Sequence, residues 1–264
     1  MAIELSIIVV HYNSAAEIGA CLESIAAHPP HCRYEIIIVD NASPEPPPGD
    51  VIDRIPEARV ITVTENRGFG AGNNAGVREA KGEYLFLLNP DTLIIDDSIN
   101  KMLEFLKKRD EIGALTCFQY DEDQKTLQTF FFGDFQTLTP LIFKRGFKPR
   151  IDLSREYVPA EMVTGAALMI KTDVYQKIGG FDEKFFMYFE DDDLCRRLVE
   201  AGYQNAVLTA ARIVHLGGKS AKSTRQKKLY YYASQNRYWQ KHNGAIPTLI
   251  MRLLRWPYKL RQTR

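Results

Sequence analysis

The sequence predicts an α/β fold, a mixed and mostly parallel sheet flanked by helices, with a basic helical extension at its C-terminal end. Three observations predict it. Short apolar, β-branched runs alternate with segments of helical periodicity through the first 90 residues, the pattern of strands covered on both faces by crossover helices. Each run breaks off into polar residues at the carboxyl end of a strand, where open α/β sheets bind ligands. Charge is also divided along the chain. After Glu200 there are thirteen Lys and Arg and no acid, while the first 200 residues set 21 bases against all 33 acids, behind a net charge of only +1.

Leu5–Val10 and Tyr34–Val39 read as the first two strands, with a helix over Ser14–Ala27 between them, spaced by Ile18, Cys21, Leu22 and Ile25. Arg59–Val63 and Tyr84–Leu88 continue the strands, separated by a helix over Gly70–Ala80. Ser98–Lys108 is amphipathic and helical, and Gly113–Phe118 is a strand. The aromatic, turn-rich stretch from Asp121 to Pro159 has no readable period. Beyond it, Val163–Lys171 reads as a strand, Asp193–Ala201 as a helix, Gln204–Thr209 and Arg212–His215 as two short strands, and 222–243 as a Tyr- and Lys-rich helix. The expected division is a sheet domain over 1–220 and a basic extension over 221–264.

Composition excludes several classes. With 45% hydrophobic and 25% charged residues the chain is globular. Cys21, Cys32, Cys117 and Cys195 form no C-x-x-C pair, so a reducing compartment is expected. The opening Met-Ala-Ile-Glu-Leu-Ser has no basic n-region and reads as the approach to a strand, and no run of 18 apolar residues occurs.

Four constellations can carry chemistry. Asn66–Gly76 places glycines between a strand and a helix, where backbone N–H groups can approach a phosphate or ribose. Gly70-x-Gly72-x-x-Ala75 loosely fits a dinucleotide fingerprint, but it follows the third strand rather than the first, and a glycine turn packed on its helix is the plainer reading. Asn89-Pro90-Asp91 ends an apolar strand with a carboxylate suited to a hard divalent cation shared with substrate phosphates, or is simply a turn before a helix cap. Glu190-Asp191-Asp192-Asp193 opens a helix behind the aromatic run Phe185–Phe189. Dipole and i,i+4 roles occupy two or three of these acids, which leaves a carboxylate for general-base work. His215, among small residues, is a candidate ligand to metal or phosphate, or a structural histidine.

Taken in order, S-I-I-V-V-H-Y-N (6–13), I-I-V-D-N-A-S (37–43), N-R-G-F-G-A-G-N-N (66–74), L-L-N-P-D (87–91), G-G-F-D-E (179–183), F-M-Y-F-E-D-D-D-L-C-R-R (186–197) and H-L-G-G-K-S (215–220) resemble a family-2 glycosyltransferase of the GT-A fold. Within it they are most similar to bacterial rhamnosyltransferases of O-antigen and cell-wall polysaccharide synthesis. The resemblance spans roughly residues 4–220. It implies a nucleotide-sugar pocket from Tyr12, Asn13, Asp40, Asn66, Arg67, Gly70, Asn73, Asn89 and Asp91. It implies Mg²⁺ or Mn²⁺ on Asp91 and His215, with N-P-D in place of the family's D-x-D. Asp191 would be the general base, supported by Glu190, and Asp192 stands where the family pattern often has an apolar residue. Gly165, Ala166, Gly180, Phe181 and Asp182 would shape the acceptor side.

The implied reaction is inverting transfer of a sugar, L-rhamnose from dTDP-L-rhamnose, onto a hydroxyl of a glycan or polyprenyl-diphosphate-linked saccharide. Two alternatives stand beside it: a non-catalytic nucleotide-sugar-binding scaffold, and a dinucleotide-dependent oxidoreductase. In the extension, Ile246, Leu249, Ile250, Leu253 and Leu254 share one helical face, with Arg252 and Arg255 opposite and Pro257 expected to end the helix. Over 246–256 this describes a helix on an anionic membrane surface, or one packed on the catalytic domain. A cytoplasmic protein peripheral to the inner face of the bacterial plasma membrane follows. The acidic body and the absence of a binding motif speak against nucleic acid.

Overall fold

The computed structural model describes residues 2–138, 152, 154–217 and 224–262. Gly218, Lys219 and Ser220 of the H-L-G-G-K-S motif, the expected domain boundary at 220/221, and the side chains of Tyr258, Lys259, Arg261 and Arg264 lie outside the described residues.

Strands β1 (Leu5–His11), β2 (Tyr34–Asp40), β3 (Ala58–Thr62) and β4 (Tyr84–Leu88) form the parallel half of one sheet. Its remaining strands are β5 (Thr92–Ile94), β6 (Ile112–Tyr120), β8 (Tyr157–Ala160), β10 (Ala167–Lys171) and β11 (Gln204–His215). The order is β3-β2-β1-β4-β10-β6-β11-β5, and β8 pairs with β11. β10 runs antiparallel to β4 and β6, whereas β6 and β11 are parallel, so the sheet is mixed as expected. A separate two-stranded ribbon joins β7 (Phe132–Gly133) to β9 (Met162–Val163).

Alternation within the apolar strands builds two cores. Ile7, Val9, Ile36, Ile38, Phe86 and Leu88 face α1 (Ala15–Ala27) and α4 (Ser98–Lys107). Their neighbours Ile8, Val10, Ile37, Val39, Leu85 and Leu87 face the opposite side. There α3 (Phe69–Glu79), α5 (Thr172–Lys177) and α6 (Glu190–Glu200) form the layer, whereas the one-turn helix α2 (Gly49–Ile52) packs its Ile52 on the α1 side. Burial on both faces explains why the strands read as unbroken apolar runs.

The expected boundaries shift in four places, each for a local reason. Helix α6 starts at Glu190 rather than Asp193, because Tyr188 and Phe189 are both left-handed and all four acids then fall in the first turn, at the positive end of the dipole. The expected strand over Val163–Lys171 is two strands, divided at Thr164-Gly165-Ala166. The expected pair Gln204–Thr209 and Arg212–His215 is one strand with a register shift between Leu208 and Arg212. Before the shift its outer edge pairs with β8, and after it with β5. The last helix does not end at Pro257.

That extension consists of α7 (Thr224–His242) and α8 (Ala245–Gln262). Pro257 removes one backbone donor, and the hydrogen bonds on either side carry α8 past it to Gln262. Tyr238, Trp239 and Met251 bury themselves against Phe185 and Phe189, just ahead of α6. Part of the basic charge neutralises the acidic body directly: Lys241 pairs with Asp182 and Asp193, at 2.9 and 2.7 Å, and Arg237 with Asp182 at 3.5 Å.

Candidate active site

A cavity of about 1000 Å³ opens at the carboxyl ends of β1, β2 and β4. Tyr12, Asn13, Asn66, Asn89, Asp91, Gly165, Ala166, Glu190, Asp191 and His215 all line it. Strand-end geometry explains the first group. Asn13, in a left-handed conformation, donates its N–H to Ser43 Oγ at 2.9 Å, which joins the β1 and β2 termini. Asn66 Oδ1 accepts from the Gly68 N–H at 2.9 Å and from Asn41 Nδ2 at 3.1 Å.

Asp91 and His215 are brought together by β5, a three-residue strand the sequence reading did not find. Thr92 pairs with His215 in its register, and the Leu216 N–H donates to the Asp91 carbonyl at 2.9 Å. His215 Nε2 then lies 3.4 Å from Asp91 Oδ1 and 3.5 Å from Asn89 Nδ2. The turn itself is set by Thr92 Oγ1, which donates to the Asn89 carbonyl at 2.6 Å. Asn89 Oδ1 is buried and makes no hydrogen bond.

Across the cavity, Asp191 Oδ2 accepts from the Gly165 N–H at 3.2 Å and Asp191 Oδ1 from the Asp192 N–H at 3.0 Å. Burial pushes the Asp191 carboxyl up, and these two donors oppose the shift. Burial, with the adjacent Asp191 charge, pushes Glu190 well above the usual carboxylate range, and its Oε2 has no partner. Asp192 does not line the cavity. The buried Asp193 carboxylate is bound by Arg197 and His242, at 2.8 and 2.7 Å, so one helical turn divides the four acids between cavity and scaffold.

Other expected residues lie behind the wall. Asp40 Oδ1 accepts from the Ser43 N–H at 2.9 Å, and Arg67 pairs with Glu183 at 3.0 Å. Asn73 is buried and donates to the Phe69 carbonyl at 3.0 Å. Gly70 is packed so closely that a Cβ there would meet Phe181 at 2.9 Å. Gly180 and the buried Phe181 sit on Asn74, whose Oδ1 accepts from the Phe181 N–H at 3.0 Å, and Asp182 is held by the α7 cations. None of these seven borders the cavity.

The cavity also has lining residues that sequence reasoning missed. Asp121, Gln128 and Phe130 come from the unparsed stretch, Asn41 from the end of β2, and Phe186 and Tyr230 form a ring pair with centroids 4.6 Å apart. Asp121–Thr126 carries the Asx-turn signature of a tight reversal, with Asp123 accepting from the Lys125 and Thr126 N–H groups. That signal marks a hairpin and not its place over the site.

The family described as glycosyl transferase family 2 matches residues 6–179, and the N-terminal domain of galactosyltransferase matches 145–219. The N-acetylglucosaminyl-diphospho-decaprenol L-rhamnosyltransferase of Mycobacterium tuberculosis is 24% identical over 238 residues, 80% of this chain and 75% of that protein. The rhamnosyltransferase WbbL of Escherichia coli is 27% identical over 161 residues, 56% of this chain and 60% of that one. The mannosyltransferase PcManGT of Pyrobaculum calidifontis, solved with GDP-Man and Mn²⁺, superposes with a TM-score of 0.65 at 18% identity over 91% of this chain. This chain spans 64% of that structure and 55% of GalNAc-T7, solved with UDP, GalNAc and Mn²⁺, which superposes at 0.66 and 12% identity over 98% of this chain. The fold is that of the GT-A glycosyltransferases, and the chain belongs to glycosyl transferase family 2.

Proposed function

We propose that the protein is an inverting glycosyltransferase of bacterial polysaccharide synthesis, moving a sugar from a nucleoside-diphosphate donor to a hydroxyl of a saccharide acceptor. The observation that carries this reading is one cavity with the Asp91–His215–Asn89 cluster on one wall and the tethered Asp191 carboxylate on another. L-Rhamnose from a dTDP-sugar is the proposed donor and a polyprenyl-diphosphate-linked saccharide the proposed acceptor. The names of the mycobacterial and E. coli relatives support the sugar, and that of the mycobacterial relative supports the acceptor.

Asp191 takes the proton of the acceptor hydroxyl. The acceptor hydroxyl oxygen then attacks the anomeric carbon as the bond to the diphosphate breaks, and the leaving group departs with the bonding electrons. A single in-line displacement inverts that centre. Gly165 and the Asp192 N–H orient the base, while Glu190, driven toward its neutral form, keeps a second negative charge from forming beside it. Phe130, 87% exposed at the cavity edge, and the Phe186–Tyr230 pair offer apolar faces for the acceptor.

The residues fit a hard divalent ion. Asp91 offers a carboxylate, His215 an imidazole nitrogen, and the unpartnered Asn89 Oδ1 a neutral oxygen. Among the described residues no three His, Cys, Asp or Glu form a complete cage, so phosphate oxygens and water would supply the remaining ligands. Bound Mg²⁺ or Mn²⁺ supplies charge neutralisation for a departing diphosphate.

Helix α8 supports peripheral placement on the inner face of the plasma membrane. Among the described residues, no helix is long and apolar enough to cross a membrane. Yet Ile246, Leu249, Leu253 and Trp256 are 75, 58, 61 and 61% exposed, while Thr248 and Met251 turn inward. Arg255 departs from the expected outer face. It donates to Gln235 and Asn236 on α7, at 2.5 and 2.8 Å.

A thermal-shift panel of nucleoside diphosphates, with and without Mn²⁺, tests the donor assignment. Stabilisation by dTDP, greater with Mn²⁺, is expected, and about 2.7 kcal/mol accompanies a concentration of 100 Kd. No shift with any nucleotide would overturn the reading.

A further inference from the structure

We propose that Gln128 is a positioning residue that fixes the tautomer of His215 and so aims the Nε2 lone pair into the cavity. The hydrogens of the Gln128 amide fix its orientation. Nε2 carries two, and its two partners can only accept: the His215 carbonyl at 2.7 Å and Asp121 Oδ1 at 2.9 Å. With the amide reversed, its oxygen would face a carbonyl and a carboxylate, and both bonds would be lost. The orientation is therefore determined, and Oε1 is the atom 3.1 Å from His215 Nδ1.

An amide oxygen has no proton to give, so Nδ1 must carry the hydrogen. In the neutral ring the lone pair is then on Nε2, the nitrogen 3.4 Å from Asp91 Oδ1 and beside Asn89. Imidazoles that bind metals are commonly held this way by an acceptor on the other nitrogen. Gln128 binds the same histidine twice, through its ring and its main chain.

The hairpin gives Gln128 this reach. Its N–H donates to the Gln119 carbonyl at 2.9 Å, Tyr120 bridges Leu127, and the Asp121 N–H closes on the Thr126 carbonyl at 2.9 Å. The left-handed Gln124 turns the loop. Asp121 thus serves the relay twice, closing the hairpin and orienting the amide.

The inference rests on the proposed cation site for its purpose but not for its test. Long-range ¹H–¹⁵N correlation spectra of ¹⁵N-histidine-labelled protein, recorded at pH 8, read the tautomer with no metal present. The native chain is expected to show His215 protonated on Nδ1, and Gln128→Met to show mixed or Nε2-protonated signals. Mn²⁺ titrations followed by electron paramagnetic resonance, with dTDP, are expected to lose about 10–100-fold in affinity in Gln128→Met. An Nε2–H or doubly protonated ring in the native chain overturns the proposal, as does unchanged Mn²⁺ affinity in Gln128→Met. If the native chain binds no Mn²⁺, the cation assignment falls, and the spectra alone decide the role of Gln128.

Discussion

The backbone N–H of Gly165 donates to Asp191 Oδ2 at 3.2 Å, across 26 residues of sequence, so the loop between β9 and β10 orients a carboxylate at the start of α6. With Oδ1 held by the Asp192 N–H, rotation of the carboxylate is restricted before any acceptor arrives. Preorganisation of this kind predicts a clean separation of binding from chemistry. Asp191→Asn keeps the shape and loses the base, so transfer should fall by about 10²–10⁴-fold. Donor affinity, measured by calorimetry, should change only a few-fold. Turnover at the native rate would remove Asp191 from the mechanism.

The two cavity carboxyls make opposite demands on pH. Burial raises Asp191, and a base must be deprotonated to act, so kcat should climb with pH along a limb shifted upward from that of an ordinary aspartate. Glu190 is also raised in the folded state, by burial first and then by Asp191. A raised folded pKa means stability that is complete below the unfolded value and lost as pH rises through the folded one. Glu190→Gln removes that loss. Its melting temperature should match the native chain near pH 4 and exceed it increasingly toward pH 8. A difference that does not grow with pH would show that Glu190 ionises without penalty.

Gly68 is the glycine of the N-R-G-F-G stretch whose backbone leaves no alternative. Its φ is +101°, and a Cβ would stand 2.1 Å from the Phe186 carbonyl oxygen, the same oxygen that accepts from the Phe69 N–H at 3.1 Å. Both contacts are backbone, so neither can swing aside. Gly68→Ala should cost about 1–3 kcal/mol in chemical denaturation and separate the aromatic loop from α3. Gly49→Ala, where a Cβ meets nothing within 4 Å, serves as the control and should lie within about 0.5 kcal/mol of native.

How much of this was legible in the sequence follows from how local each feature is. The buried strands declared themselves because burial on both faces leaves an unbroken apolar run, and Asp91, just past the end of β4, marked the site's rim. Gln128 was not legible. Its function depends on β11 returning to the sheet 87 residues later, and no period or spacing encodes that meeting. Arg67 and Asp182 show the reverse case. The resemblance implied a nucleotide-sugar contact for the first, inside N-R-G-F-G-A-G-N-N, and an acceptor-side place for the second, inside G-G-F-D-E, but they pair with Glu183 and Lys241 and do not border the cavity. The start of α6 was misplaced by three residues because the left-handed turn at Phe189 is a tertiary effect, forced on a bulky residue without a glycine signal.

Asp193 supplies a stability test separate from the chemistry. Burial alone would raise its carboxyl; the His242 hydrogen bond and the Arg197 and Lys241 cations outweigh it and bring the group down to about 2. A depressed folded pKa contributes stability above the unfolded value, lost as pH falls through the folded one. Asp193→Asn should therefore cost about 2 kcal/mol at pH 7. The gap from the native chain should narrow between pH 4 and 2. Equal stability at pH 7 would mean that desolvation cancels the whole network.

Helix α8 brings the last prediction. Its inward positions, Thr248 and Met251, and Arg255 hold it against the body, so Leu249 and Leu253 can be changed without touching that interface. Leu249→Glu with Leu253→Glu should leave melting temperature and transfer to a soluble acceptor unchanged. Burial of a leucine yields about 1.5–3 kcal/mol, so losing two should weaken binding to vesicles containing anionic lipid by 10²-fold or more. Arg252→Ala, at an exposed residue of the same helix, should act differently, weakening binding by about 1 kcal/mol at low salt and less as screening increases. Cosedimentation with vesicles across a salt series reads both effects. Full vesicle binding by the double variant would assign the exposed leucines to another role and leave membrane placement without its structural support.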